Sequence, residues 1–232
     1  TTGSALPGPL ELLLPLGAPD MLRTVYKYAP TFKDHQLVWM EEGLETTVSV
    51  HKWQSYLLLY SNSRGQASDS ASGNNFHKFL GLLPMVLHGQ AHDALVVGLG
   101  GGTTGGAVAA YPNVQVDVIE LSPSMVTGAT YFADHNFHVT ERPNVHIKLD
   151  DGRNHLLVTP KKYDVATADI IQPDHVGAGN LYSKEYFTLL RKGLAPGGIV
   201  AQWAERGKPK LYPYLVRTFL DAFPHVSFWC SG

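Results

Sequence analysis

Four groups of residues in this chain have the types and spacing for chemistry on a nucleoside-like ligand. The first is a glycine-rich stretch, "VVGLGGGTTGGAVAAY", in which Gly100, Gly102 and Gly105 satisfy G-x-G-x-x-G. A strand-to-helix turn of this kind brings backbone close to a ligand, and only glycine permits that approach without a clash. The second is Glu120, twenty residues beyond Gly100 at the end of the next apolar run, where an acid can accept both hydroxyls of a ribose. The third is "DDG", with Asp151 and Gly152 closing a further strand, and the fourth is Asp169, closing "YDVATAD". The loop and Glu120 alone suit NAD and S-adenosylmethionine (AdoMet) about equally. The Asp-Gly pair separates the two, because a dinucleotide site has no need of it. In an AdoMet site an acid there can accept the adenine amino group's hydrogen bond.

These groups must be brought together by the elements between them. Residues 92–232 alternate strand and helix: "DALVVGLG", "VQVDVIEL", "VHIKLDD", "YDVATADI", "IVAQW" and "HVSFWC" read as strands. "TTGGAVAAY", "SPSMVTGATYFA", "SKEYFTLLRKGL" and "LYPYLVRTFLDAF" read as helices, with Ser122 as an N-cap and Pro123 in a first turn. Such alternation predicts a doubly wound parallel sheet covered by helices on both faces. Ligands of such sheets bind beyond the carboxyl ends of the strands, so the glycine loop, Glu120, Asp151 and Asp169 should line one crevice.

Upstream, residues 1–37 are rich in Pro and Gly and read as an irregular arm. Residues 38–75 read as a small antiparallel β-strand domain, with strands "TTVSVHKW" and "SYLLLYS" and a polar loop over 61–75. Residues 76–232 then form the AdoMet-binding-type (Rossmann-like) catalytic domain, opening on the helix "FHKFLGLLPMVLH", which Pro84 should bend or end.

Composition bounds the function. With 232 residues, 44% apolar and 16% charged, the chain can bury a sizeable core. A net charge of -2 offers no basic field for nucleic acid or anionic lipid. The lone Cys230 excludes an intrachain disulfide and a cysteine-built metal site, and it fits a reducing, cytoplasmic setting. "LELLLPL" (10–16) is too short to span a bilayer and lacks the basic flank of a signal peptide. The chain begins at Thr1 rather than Met, as a processed or excised chain would. His135 and His138 of "HNFH" form a candidate metal pair without a third ligand, so they read as surface or cap residues and no metal is expected.

The order glycine loop, "VIELSP", "DDG", "YDVATAD", "LYSKEYF", "LAPGGIVAQW" resembles the spermidine synthase (polyamine aminopropyltransferase) family over roughly residues 38–232. "GLETTVSVHKW" and "SYLLLYSNSRGQAS" resemble that family's N-terminal strand domain. Loops such as "GLGGGTTGG" and "GAGNLYSKEYF" are similar to a branch often fused to a multi-helix membrane region, which would lie upstream of Thr1 on the cytoplasmic face. The resemblance implies decarboxylated AdoMet or AdoMet as donor, a small-molecule amine as acceptor, a homodimer, and one further strand beyond "FWCSG". It implies that Asp169 activates the amine, that Gly98, Gly100, Gly101, Gly102, Glu120, Asp151 and Gly152 hold the donor, and that Gln66 lies near its sulfonium. His77, Gln172, His175 and Tyr182 fall at acceptor-side positions, and Trp203 could stack on substrate or bury against the sheet.

The departures from that family bear on specificity. Aligned on Gly98, the family's donor-binding aspartate is replaced by Gly101. Its acidic polyamine cage maps to Ser72–Gly73, Phe76, His77–Lys78 and Gln172, and Asp69 is the only acid between Glu45 and Asp93. A dicationic polyamine needs several carboxylates to offset its desolvation. Three readings stay open: an aminopropyl transferase, an AdoMet-dependent small-molecule methyltransferase, and a non-catalytic ligand-sensing domain.

Overall fold

The computed structural model describes residues 34–44, 46–169, 178–204 and 210–229. Its first unit is a four-stranded antiparallel sheet in the order β1-β2-β3-β4: β1 (Gln36–Glu42), β2 (Thr47–Trp53), β3 (Tyr56–Ser61) and β4 (Arg64–Ser68). The β4 strand corrects the expectation of a continuous polar loop over 61–75. Asn62 and Ser63 both take positive φ, 47° and 64°, which is the signature of a tight hairpin turn whose twist matches the strands it joins. Along this hairpin Leu59 pairs with Ala67 and Tyr60 with Gly65, so Gln66 is the extra residue of a β-bulge.

Helix α1 (Ala71–His88) starts five residues earlier than the sequence suggests, capped by the Ser70 hydroxyl accepting from Gly73 N. Pro84 neither ends it nor stops its course to the left-handed Gly89, where the backbone turns at φ 77°. Proline removes one helical hydrogen bond, and burial of Pro84 and Met85 against the sheet offsets that loss.

The second unit is a five-stranded parallel sheet in the order β7-β6-β5-β8-β9: β5 (Asp93–Val97), β6 (Gln115–Glu120), β7 (Val145–Leu149), β8 (Tyr163–Ala168) and β9 (Leu194–Gln202). The connecting helices are α2 (Thr103–Ala109), α3 (Pro123–Thr130), α4 (Gly152–Val158), α5 (Lys184–Gly193) and α6 (Tyr212–Ala222). Alternation along the strands sorts them into two cores. Ala94, Val96, Val116, Val118 and Val165 pack with Met85, Val108 and Ala129 on one face. Leu95, Val97, Ile119, Ala166 and Ala168 pack with Leu156, Tyr186, Phe187, Leu190 and Leu215 on the other. A third cluster joins the two units, with Val48, Val50 and Leu59 of the small sheet against Met125 and Phe132.

Two edges differ from expectation. "APGG" falls inside β9, but the pairing with β8 jumps from Leu194 to Ile199 and Gly197 takes φ 82°, so the expected break before "IVAQW" is present as a bulge within the strand. "HVSFWC" forms no strand among its described residues: it pairs with no neighbour, and Phe228 and Trp229 are exposed. Strand conformation is held by a ladder partner, and these residues have none.

Asp117, on β6, is a buried acid with 3% exposure, held by Lys148 at 3.1 Å, Lys161 at 3.2 Å and the Tyr163 hydroxyl at 2.9 Å. Burial alone would raise its carboxyl. The bonds from Tyr163, Lys148 and Lys161 outweigh burial and hold it below the usual 3.8. A lowered folded value means stability that is present above pH 3.8 and lost as pH falls through the folded value. Asp117→Asn should therefore cost about 2 kcal/mol near neutrality, since both lysines keep water contact. In thermal unfolding the gap to wild type should close in acid.

Candidate active site

The strand order reverses between β5 and β8, which opens a crevice beyond their carboxyl ends. The loop that follows β5 turns on Gly98, Gly100 and Gly102, whose φ values of 85°, 52° and 84° are left-handed and disfavour other residues. Its clamp is Asn136, 1% exposed, whose side-chain amide donates to Gly101 O and to Ala129 O, each at 2.9 Å. A Cβ on Gly106 would collide with Asn136 O. The "HNFH" segment thus matters through its asparagine. His138 pairs with Glu141 at 3.7 Å, and His135 stands 3.9 Å from Asp69. No group of three or more metal-ligating side chains forms among the described residues.

Glu120 ends β6, 8% exposed, and its carboxylate ties the loop together by accepting from Leu99 N at 2.8 Å and Ser122 N at 2.9 Å. Burial raises its carboxyl above the usual 4.5, against the opposing pull of backbone N–H groups from Leu99, Ser122, Leu121 and Gly100. Beside it opens a cleft of about 560 Å³ lined by Glu41, Leu44, Leu121, Leu149, Asp150 and Asp151, with Gly43, Pro123 and Ser124 completing the wall. Glu41 reaches over from β1 and accepts from the Ser124 hydroxyl at 2.9 Å.

Asp151 has structural work as well. Its Oδ1 caps α4, accepting from Arg153 N and Asn154 N at 2.9 Å, while Asp150 Oδ1 accepts from Asp151 N and the Asn154 side chain. Gly152 is a packing position, since a Cβ there would run into Val97. Gln66, re-aimed by its bulge, donates from its amide to Arg64 O at 3.1 Å. Tyr182 is buried in the second core at 5% exposure, and its hydroxyl donates to Trp203 O at 3.4 Å. Trp203 meets Phe76 edge-on, with ring centroids 6.1 Å apart. Gln172 and His175 lie outside the described residues.

Asp169 follows β8 and is anchored by its own N–H donating to Val97 O at 3.1 Å. Its Oδ2 accepts from His77 Nδ1 at 2.9 Å and from the Thr104 hydroxyl at 2.7 Å. Burial pulls the His77 imidazole down, and the charge and hydrogen bond of Asp169 outweigh it, so His77 titrates above the usual 6.5. Sequence reasoning named His77 and Asp169 separately and missed Thr104, although a hydroxyl on the first turn after a glycine loop was a visible signal. Lys78, the adjacent residue on α1, is turned onto the Phe137 ring at 5.6 Å.

Fold and crevice together define a doubly wound α/β protein whose glycine loop and strand-end acids gather at the carboxyl edge of the parallel sheet. The spermine/spermidine synthase domain matches residues 74–231, more than half of the chain, and the chain belongs to that family. It is 33% identical to a polyamine aminopropyltransferase of Mycobacterium tuberculosis over 128 residues, covering 53% of this chain and 24% of that protein. It is 30% identical to a polyamine aminopropyltransferase of Escherichia fergusonii over 131 residues, covering 55% of this chain and 45% of that protein. The matched part is thus under half the length of these curated relatives. A spermidine synthase solved in complex with the transition-state analogue AdoDATO superposes with a TM-score of 0.76 at 16% identity, covering 82% of this chain and 66% of that one. The spermidine synthase from Thermotoga maritima gives 0.72 at 15% identity, covering 82% and 64%. These superpositions establish the shared fold: a small antiparallel sheet followed by a parallel one. Among the described residues no helix is long and apolar enough to cross a membrane.

Proposed function

We propose that this chain is a spermidine-synthase-like transferase that moves an aminopropyl or related group from a sulfonium nucleoside to a small amine. The observation that carries the reading is the junction after β8. The carbonyl of Asp169 lies 2.9 Å from where a Cβ on Gly98 would stand, so the donor loop and the amine-side acid are in contact. The residues present fit such a donor. Leu121 and Leu149 offer apolar walls for a purine, Asp150 and Asp151 offer acceptors for its amino group, and Glu120, next in sequence to Leu121, is the acid we assign to the ribose. The polyamine aminopropyltransferase names of the relatives and the AdoDATO bound by one structural neighbour support the same class of donor.

The chemistry follows from charge. An ammonium has no lone pair and must lose a proton before it can attack. The freed nitrogen then attacks the carbon bonded to the sulfonium. The C–N bond forms as the C–S bond breaks, and the electron pair passes to sulfur. The products are an alkylated ammonium and a neutral thioether nucleoside. The His77–Asp169 pair is the group in the crevice that can orient the amine and relieve it of its proton.

A second reading, an AdoMet-dependent methyltransferase, is favoured by one observation. The loop has Gly101 where a carboxylate would attract the donor's amine, and the Ala67 methyl stands over that position. Calorimetric titration with decarboxylated AdoMet, AdoMet, methylthioadenosine and S-adenosylhomocysteine, followed by an amine screen read by mass, tests both. The expected result is preference for decarboxylated AdoMet and methylthioadenosine with transfer to an amine. Preference for AdoMet and S-adenosylhomocysteine with a methylated product would install the second reading. Failure to bind any of the four would overturn both.

A further inference from the structure

We propose that the atom receiving the amine's proton is Nε2 of His77, with Asp169 and Thr104 acting as the positioning residues that hold it. The inference deepens the transfer reading above and rests on it. It starts from the hydrogen bonds already taken. Both donors at Asp169, His77 Nδ1 at 2.9 Å and the Thr104 hydroxyl at 2.7 Å, converge on the same oxygen, Oδ2. A carboxylate engaged in this way is tied into the scaffold through that oxygen. The donor to a carboxylate must carry hydrogen, so Nδ1 holds the proton and the neutral ring keeps its lone pair on Nε2. Among the described residues Nε2 is given no hydrogen-bond partner, and the side chain keeps 14% of its surface, which we assign to the ring edge that meets the amine.

The surroundings suit a base. Phe76 packs edge-on to the imidazole with centroids 5.2 Å apart, and Trp203 backs Phe76, so one wall is apolar. From α1, Lys78 is turned away onto Phe137. From α2, Thr104 brings only a hydroxyl. From the end of β8, Asp169 is the charged group that bears on the ring. Thr104 is fully buried on the first turn after the glycine loop, so it fastens this pair to the element that carries the donor. The arrangement is that of a carboxylate fixing a histidine tautomer and steadying the imidazolium that forms. In the step itself R–NH3+ passes a proton to Nε2, giving R–NH2 and imidazolium. The amine then attacks the carbon next to sulfur, and the C–S electron pair leaves with the thioether. Because the imidazole titrates above 6.5, activity should rise as pH increases through that raised value. A carboxylate base would place the rise far lower.

His77→Asn is the deciding variant. Its side-chain amide can still donate to Asp169 from the place of Nδ1, but it offers no base. The expected result is a fall in kcat of about 100-fold or more, donor affinity within about threefold, and loss of the near-neutral rise in kcat/KM. Thr104→Val should lower kcat by loosening the His77–Asp169 pair, and Thr104→Ser, which keeps the hydroxyl, should restore it. A wild type that transfers while His77→Asn keeps its rate and pH profile overturns this assignment alone. A wild type that binds donor but transfers to no amine overturns the transfer reading and this assignment with it.

Discussion

Asp169→Asn is expected to lower turnover about a thousandfold while leaving donor affinity within about threefold of wild type. The substitution is isosteric. Its backbone bond to Val97 O and the contact of its carbonyl with Gly98 do not depend on the side chain, so the donor loop keeps its shape. What disappears is the charge facing His77. Burial then acts on the imidazole alone, and His77, which titrates above 6.5 in the wild type, should drop below 6.5. The prediction has two readouts: steady-state rate with calorimetry for the donor, and an NMR titration of His77 in the ligand-free protein. Turnover surviving within about tenfold would mean that Asp169 only closes a strand end. An unmoved His77 titration would mean that the bond at 2.9 Å carries no electrostatic weight.

The candidate site was legible in pieces and not as a unit. Gly98–Gly102, Glu120, Asp151 and Asp169 could be read because each stands where an apolar run meets its first turn, and strand ends in a parallel sheet face one crevice whatever the details. The bond between His77 and Asp169 could not be read, because it joins residues 92 positions apart through the packing of α1 against the sheet. β4 was hidden by its composition: "RGQAS" has no apolar alternation, and its place is set by the hairpin turn at Asn62–Ser63. Gln66 carries the same lesson, since a bulge decides where it aims and leaves no mark in the sequence. Asp151 shows the converse. Its position was readable, but its use as the cap of α4 depends on bonds to Arg153 N and Asn154 N.

The proposed acceptor side is short of negative charge among the described residues, for a reason the structure makes specific. Ser72 and Gly73 open α1, Phe76 packs on Trp203, and Lys78 lies over Phe137, so none of these replaces the acids of a polyamine cage. Asp169, the acid bonded to α1, is matched by a histidine that becomes cationic when it takes a proton. A pair that is neutral in sum after proton transfer offers a second ammonium no net attraction.

The donor end yields the last expectation, which concerns two residues together. Gly101→Asp alone should lower the melting temperature and weaken every donor, whereas Gly101→Asp with Ala67→Gly should fold and favour decarboxylated AdoMet over AdoMet by about 10–100-fold relative to wild type. Gly101 is not among the left-handed glycines of the loop, so its backbone accepts a side chain. The obstacle is the Ala67 methyl, 2.6 Å from the added Cβ, about an ångström inside normal carbon contact. Overpacking of that kind costs about 1–3 kcal/mol. Removing the methyl from β4, an edge strand, costs no more than about 1 kcal/mol and opens the space for a carboxylate beside the loop. A hydrogen-bonded ammonium gains about 1.5–3 kcal/mol there, and the carboxylate of AdoMet meets repulsion instead. The quantity to measure is the ratio of the two calorimetric affinities within each protein, because any general loss of stability cancels from it. A ratio that stays put in the double variant would show that position 101 does not face the donor's tail. A ratio that moves only when Ala67 is also changed would locate donor choice in a contact between β4 and the glycine loop.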